Sequence, residues 1–141
     1  TGNGRIKGHS DGVLVSGPPV TGLTFPALWE NKALMASYWN RLVKVGLQLF
    51  DVKYWAQAHL YMGYFELSNC LFTAMNKNTA EIYCEVVQYQ VAEAQLYSDR
   101  GVSLIRAVDT KQVPKRIASR PDMFACKFCD FRETVCWKDA R

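Results

Sequence analysis

Residues 24–34, TFPALWENKAL, decide how this chain is read. The stretch is bounded by turn-forming residues upstream, SGPPVTG at 16–22, and reads as a β-strand. Successive side chains of a strand alternate between its two faces, so Glu30 and Lys32 share one side. Before the turn stands RIKGHSDGVLV, residues 5–15, which reads as a second strand ending in a β-branched apolar run. Its parity places His9 and Asp11 together. Residues 5–34 are therefore expected to form a β-hairpin with a long loop. One register of that hairpin gathers Asp11, Glu30 and Lys32 on a single face.

That grouping has a definite chemistry. Mg²⁺ is a hard cation that takes oxygen ligands in octahedral geometry and keeps several waters. Asp11 and Glu30, with the backbone carbonyl of Asn31, would supply its protein ligands; Mn²⁺ suits the same donors. A lysine beside such an ion can orient an attacking water and stabilise developing negative charge. Glu-x-Lys alone is a weak signal, since strands often carry it as a surface charge pair, and Asp11-Gly12 also suits a turn.

Outward from the hairpin, ASYWNRLVKV at 36–45 predicts a short helix closed by Gly46. DVKYWAQAHLYMGYFEL at 51–67 predicts the longest helix, with Asp51 as N-cap and Tyr54, Ala58, Tyr61 and Phe65 at helical spacing. NCLFTAMN (69–76) and AEIYCEVVQY (80–89) read as a second hairpin around Lys77-Asn78-Thr79, with Ile82, Cys84 and Val86 on one face. VAEAQLYSDRGVSLIRAV (91–108) reads as an amphipathic helix, and 110–125 as a basic loop with Pro114 and Pro121. The order predicts an α/β (α+β) domain with a central mixed sheet flanked by helices.

The 141 residues, 49% hydrophobic, are enough for one domain with a real core and exclude a disordered or collagen-like chain. No run approaches the ~20 apolar residues of a membrane span, and the first residues do not form a signal peptide. The net charge of +4 permits a polyanionic partner without requiring one. Lys44, Lys53, Lys115, Arg116 and Arg120 are candidate phosphate contacts. Trp29, Trp39, Trp55 and Trp137 could stack on unpaired bases, although Trp29 and Trp55 read better as core.

Of five cysteines, Cys126, Cys129 and Cys136 crowd the end of the chain. An odd count without a secretion signal argues against a disulfide framework. The Cys-x-x-Cys spacing suits thiolate ligation of Zn²⁺ or an iron–sulfur cluster. Cys70 and Cys84 are further in-chain donors, but their strand positions suggest buried apolar packing.

Taken together, GHSDG (8–12), LWENKAL (28–34) and YWAQAHLYM (54–62) resemble the RecB-like branch of the PD-(D/E)XK nuclease superfamily. Phage-encoded, lambda-type and CRISPR-associated exonucleases are similar. Asp11 corresponds to the acid of the family's G-x-x-D motif, Glu30 and Lys32 to E-x-K, and Gln57 and Tyr61 to Q-x-x-x-Y. The last pair lies on one helical face at i and i+4, where it can contact a phosphate or hold the lysine. His9 is either a support of the site or a plain strand histidine, and His59, about 160° round the helix from both Gln57 and Tyr61, is structural.

The resemblance covers nearly the whole chain. It implies a restriction-endonuclease-like core over 1–125 and a cysteine-rich tail, 126–141, packed on it. It implies a Mg²⁺- or Mn²⁺-dependent deoxyribonuclease, an exonuclease of cytoplasmic phage or bacterial DNA recombination or repair. Its partners would be DNA and a recombination or single-strand annealing protein. It favours a [4Fe–4S] cluster over Zn²⁺ at the tail, with a fourth cysteine from a segment upstream of the core. The family's upstream helix, bearing a His or Glu that completes the metal site, has no counterpart in these residues, so the sequence reads as a fragment. A non-catalytic DNA-binding or interaction module that retains the nuclease fold is the alternative, and a zinc-stabilised adaptor a third reading.

Overall fold

Strand parity and two helix-breaking points account for most of the architecture. The computed structural model describes residues 4–138. The chain forms two compact units, Thr1–Ser103 and Leu104–Arg141. The first holds a four-stranded mixed sheet in the order β1 (Gly12–Leu14), β2 (Ala27–Leu34), β3 (Asn69–Asn76) and β4 (Ile82–Gln88). Helices α1 (Ala36–Phe50) and α2 (Val52–Phe65) lie between β2 and β3, and α3 (Val91–Asp109) follows β4.

The two predicted hairpins are present. β1 pairs antiparallel with β2, Gly12 opposite Trp29, and β3 pairs antiparallel with β4. β2 and β3 pair in parallel, Glu30 opposite Phe72, because α1 and α2 carry the chain back to the same end of the sheet. The first strand is much shorter than expected. Residues 5–11 lie outside it, so His9 is not a strand residue. Where β1 stops, the Asp11 side chain takes over: its Oδ2 accepts the Asn31 backbone N–H at 2.7 Å, capping the bared edge of β2. The long loop after β1 is pinned by buried Asn69, which accepts the Thr24 N–H and donates to the Thr24 carbonyl and hydroxyl.

Leu28, Leu34, Cys70, Phe72, Ala74 and Val87 form the covered face of the sheet. Leu42, Leu47 and Phe50 from α1 and Trp55, Ala58 and Met62 from α2 complete this core. Asp51 caps α2 as predicted, accepting the Lys53 N–H at 2.7 Å. Trp55 Nε1 donates to Glu93, tying α2 to α3. Trp29 belongs to the other face, half-buried, with Nε1 donating to Thr73. Cys84 is exposed, since the helices cover the face of Tyr83, Glu85 and Val87, not that of Cys84.

Gly46 breaks α1, with φ of 73° and ψ of 168°, and a last helical turn continues to Phe50. A left-handed φ disfavours any side chain with a Cβ. The restarted turn needs an acceptor for its first N–H groups. Glu85 provides one from β4: its Oε2 accepts Leu47 N–H at 2.8 Å and the Tyr83 hydroxyl at 2.7 Å. Burial, and then this bond to a carboxylate, push the Tyr83 phenol upward. Glu85→Ala is expected to destabilise by about 1–3 kcal/mol, the penalty for orphaning partly buried donors. Urea denaturation should show that loss, and Glu85→Gln, which keeps an acceptor, should recover most of it.

The second unit contains the end of α3, the loop after it, a single helical turn α4 (Phe124–Lys127) and a π-helical turn at Arg132–Cys136. It begins earlier than a tail at residue 126. Arg116 stacks over the Trp137 ring at 4.2 Å. Among the described residues no helix is long and apolar enough to cross a membrane.

Candidate functional site

Glu30 and Lys32 project from β2 toward α2, on the face that also carries Leu28 and Leu34. Glu30 is 2% exposed. A buried carboxylate needs partners. Its Oε2 accepts from Lys32 Nζ at 2.9 Å and from Gln57 Nε2 at 3.0 Å. Its Oε1 is buried with no hydrogen-bond partner. Lys32 Nζ also reaches Asp11 Oδ2 at 3.5 Å, and sits 5.4 Å from the centre of the Tyr54 ring. The expected grouping of Asp11, Glu30 and Lys32 is thus present, with Gln57 as its fourth member.

Burial graduates the three charges. The Lys32 side chain is 17% exposed and that of Asp11 43%. Asp11 is held below its ordinary value, first by the Asn31 N–H and then, against some burial, by Lys32. Burial pushes Glu30 upward, and the bond and charge of Lys32 only partly offset it. Burial works to lower Lys32, but Glu30 and then Asp11 outweigh it and raise the ammonium.

Tyr61 does not join this group. Its ring lies against the backbone of Gly8, so closely that a Cβ there would collide with it. Gly8 and Asp11 bound the same short segment, so Tyr61 packs beside the stretch of chain that ends at Asp11. His9 is exposed and lines a cavity of about 750 Å³ together with Gln57 and Tyr61. His59 is buried and structural: Nδ1–H meets the Trp55 carbonyl at 3.0 Å and the ring stacks on Trp55 at 4.2 Å. Burial lowers its pKa, opposed by the Trp55 carbonyl and by Glu93. The sequence reading missed Tyr54. Its signal was its position three residues before Gln57, on the same helical face.

The donor set fits a hard cation. The unpartnered Oε1 of Glu30 and the outer carboxylate of Asp11 are oxygen donors. Asn31 directs its N–H at Asp11, and in a strand the carbonyl of the same residue faces the same edge. Mg²⁺ accepts so few protein ligands because it retains water. Among the described residues no group of three or more His, Cys, Asp or Glu is placed to hold a metal.

That last fact also bears on the tail. Cys126, Cys129 and Cys136 line one largely apolar cavity of about 630 Å³ within the second unit, but are not gathered as a ligand set. Their accessibilities make a test. Cys84 and Cys129 are exposed, Cys136 is intermediate, and Cys70 and Cys126 are buried. Burial, then the charge of Glu30, push the Cys70 thiol up to about 12. Titration with Ellman's reagent should label Cys84 and Cys129 first and Cys70 only on unfolding. Protection of Cys129 would instead indicate ligation.

Comparison with protein-family models, with characterised proteins and with solved structures gave no match.

Proposed function

We propose that the first unit is a restriction-endonuclease-like core and that the protein is a metal-dependent deoxyribonuclease, acting exonucleolytically in recombination or repair of phage or bacterial DNA. One observation carries the reading: two carboxylates, one lysine and one glutamine come together from three separate segments, Lys32 and Gln57 both on Oε2 of Glu30, while its buried Oε1 has no hydrogen-bond partner. Buried polar atoms usually have a hydrogen-bond partner, and Oε1 of Glu30 is an exception. Asp11, Glu30 and the Asn31 carbonyl would hold Mg²⁺ or Mn²⁺, which when bound lowers the pKa of a water and neutralises charge on the scissile phosphate.

The chain's own groups do the rest. Gln57 fixes Glu30 by donating to it, and Tyr61 packs beside the segment that ends at Asp11. Lys32 presents N–H donors where negative charge develops on the attacking oxygen and phosphate. The test is degradation of end-labelled linear DNA by the 141-residue chain with Mg²⁺ or Mn²⁺. Metal-dependent shortening by the wild type is the expected result. Intact DNA, or shortening that Lys32→Ala leaves unchanged, overturns the proposal.

A second reading rests on a different observation. Lys32 already contacts both carboxylates and offsets one of their two negative charges without a metal. A DNA-binding or interaction module that retains the fold would look the same. Calorimetric titration with Mn²⁺ separates the two: saturable binding lost in Glu30→Gln supports the nuclease, and no binding supports the module.

A further inference from the structure

The cavity of about 750 Å³ beside Gln57 is not needed to hold a metal, yet it is built from a distinct set of side chains. Lys53, Gln57, Tyr61 and Tyr64 recur along one stripe of α2, and the segment Ile6–His9 runs beside them. Its volume lies within the ~300–1,000 Å³ typical of ligand pockets. Tyr64 and Phe65, at the wall of this cavity, are 44% and 49% exposed, so their rings are accessible to a ligand. Tyr61 and Phe65 stand 6.3 Å apart, inclined at 52°. Lys7, Lys53 and His9 add donors of positive or titratable character. None of the three has an ion-pair partner among the described residues.

Aromatic faces interleaved with unpaired cations are what a single-stranded nucleic acid needs. The rings stack on bases without regard to sequence, and the lysines neutralise phosphates. A duplex offers its phosphates but keeps its bases stacked on each other, so it cannot use the rings. Gln57 belongs to both places: it lines the cavity and donates to Glu30. A strand seated here is therefore adjacent to the carboxylates.

The geometry points to a binding site for unpaired nucleotides of single-stranded DNA in this cavity, with Tyr64 as stacking platform and Lys7 and Lys53 on the backbone. This deepens the nuclease reading and rests on it for the role of the bound strand, although binding itself does not require cleavage.

The test is fluorescence anisotropy in EDTA, with the 141-residue chain and labelled oligo(dT) or a blunt duplex of equal length. Oligo(dT) is expected to bind at least about tenfold more tightly than the duplex, and Tyr64→Ala to weaken it on the order of tenfold. Tyr64→Phe keeps the ring and should keep the affinity. Lys7→Ala and Lys53→Ala should each flatten the salt dependence by about one phosphate contact. Equal affinity for the duplex, or a Tyr64→Ala protein that binds oligo(dT) as the wild type does, overturns the inference. Because binding is read without metal, the two proposals fail separately. A wild type that binds oligo(dT) but never cleaves removes the nuclease, and a cleaving enzyme indifferent to Tyr64→Ala removes the pocket.

Discussion

Lys32→Ala is expected to lower metal-dependent cleavage by roughly 10²–10³-fold, as loss of one donor to a developing charge does. The same variant should also be less stable by about 3 kcal/mol at neutral pH, because removing one partner of a buried pair strands the other. The stranded group is Glu30, 2% exposed, whose remaining partner on Oε2 is the Gln57 amide. The pH dependence separates this mechanism from simple loss of packing. Burial already holds the Glu30 carboxyl above its ordinary value of 4.5 with Lys32 present, and without Lys32 it must rise further. A carboxyl with a raised folded pKa favours the fold when protonated, and that contribution disappears as pH rises through the folded pKa. The deficit of Lys32→Ala should therefore be largest at neutral pH and shrink toward 4.5. Urea midpoints of both proteins across that range measure it. A deficit independent of pH would show that Lys32 matters through its methylene stem and not its charge.

This arrangement was legible in the sequence for a simple reason. Parity in a strand is fixed by covalent geometry, so Glu30 and Lys32 had to share a face wherever the strand lay. The antiparallel hairpin then left few registers, and the observed one, Gly12 opposite Trp29, puts Asp11 level with Glu30. Gln57 was singled out by the Q-x-x-x-Y resemblance, and helical period only put it on one face with Tyr61. The extent of β1 was not legible, because its end is set by a side chain: Asp11 caps Asn31 in place of a continuing strand.

The place of Tyr61 was not legible either. It depends on the path of the irregular segment at Gly8, which has no period to read. For β4 the pattern grouped Ile82, Cys84 and Val86 properly but could not say which face the helices would cover. That choice is made by contacts such as Glu85 with Leu47, thirty-eight residues apart. The boundary of the second unit falls inside α3 just after Gly101, which the sequence marks only as a mild interruption of one helix.

Gln57→Glu puts the metal question to the fold itself. Gln57 Nε2 donates to Glu30 Oε2 at 3.0 Å, so the substitution exchanges a donor for a second carboxylate oxygen at hydrogen-bond distance. Two carboxylates so close cannot both ionise without a cation between them. Lys32 is the nearest cation, but it is already divided between Glu30 and Asp11. In EDTA the variant should be destabilised by about 3–5 kcal/mol, the range for an uncompensated buried charge, or should take up a proton to avoid the repulsion. A divalent ion changes the sign. Glu30, Asp11 and residue 57 would then offer three carboxylates, and binding restricted to the folded state stabilises by about 2.7 kcal/mol at a hundredfold excess over Kd. Thermal melts with and without Mn²⁺ are therefore expected to differ more for Gln57→Glu than for the wild type. The wild type should itself rise with Mn²⁺, because Oε1 of Glu30 gains the partner it lacks. If Mn²⁺ shifts neither melt, the unpartnered Oε1 of Glu30 does not accept a cation, and the nuclease reading falls with it.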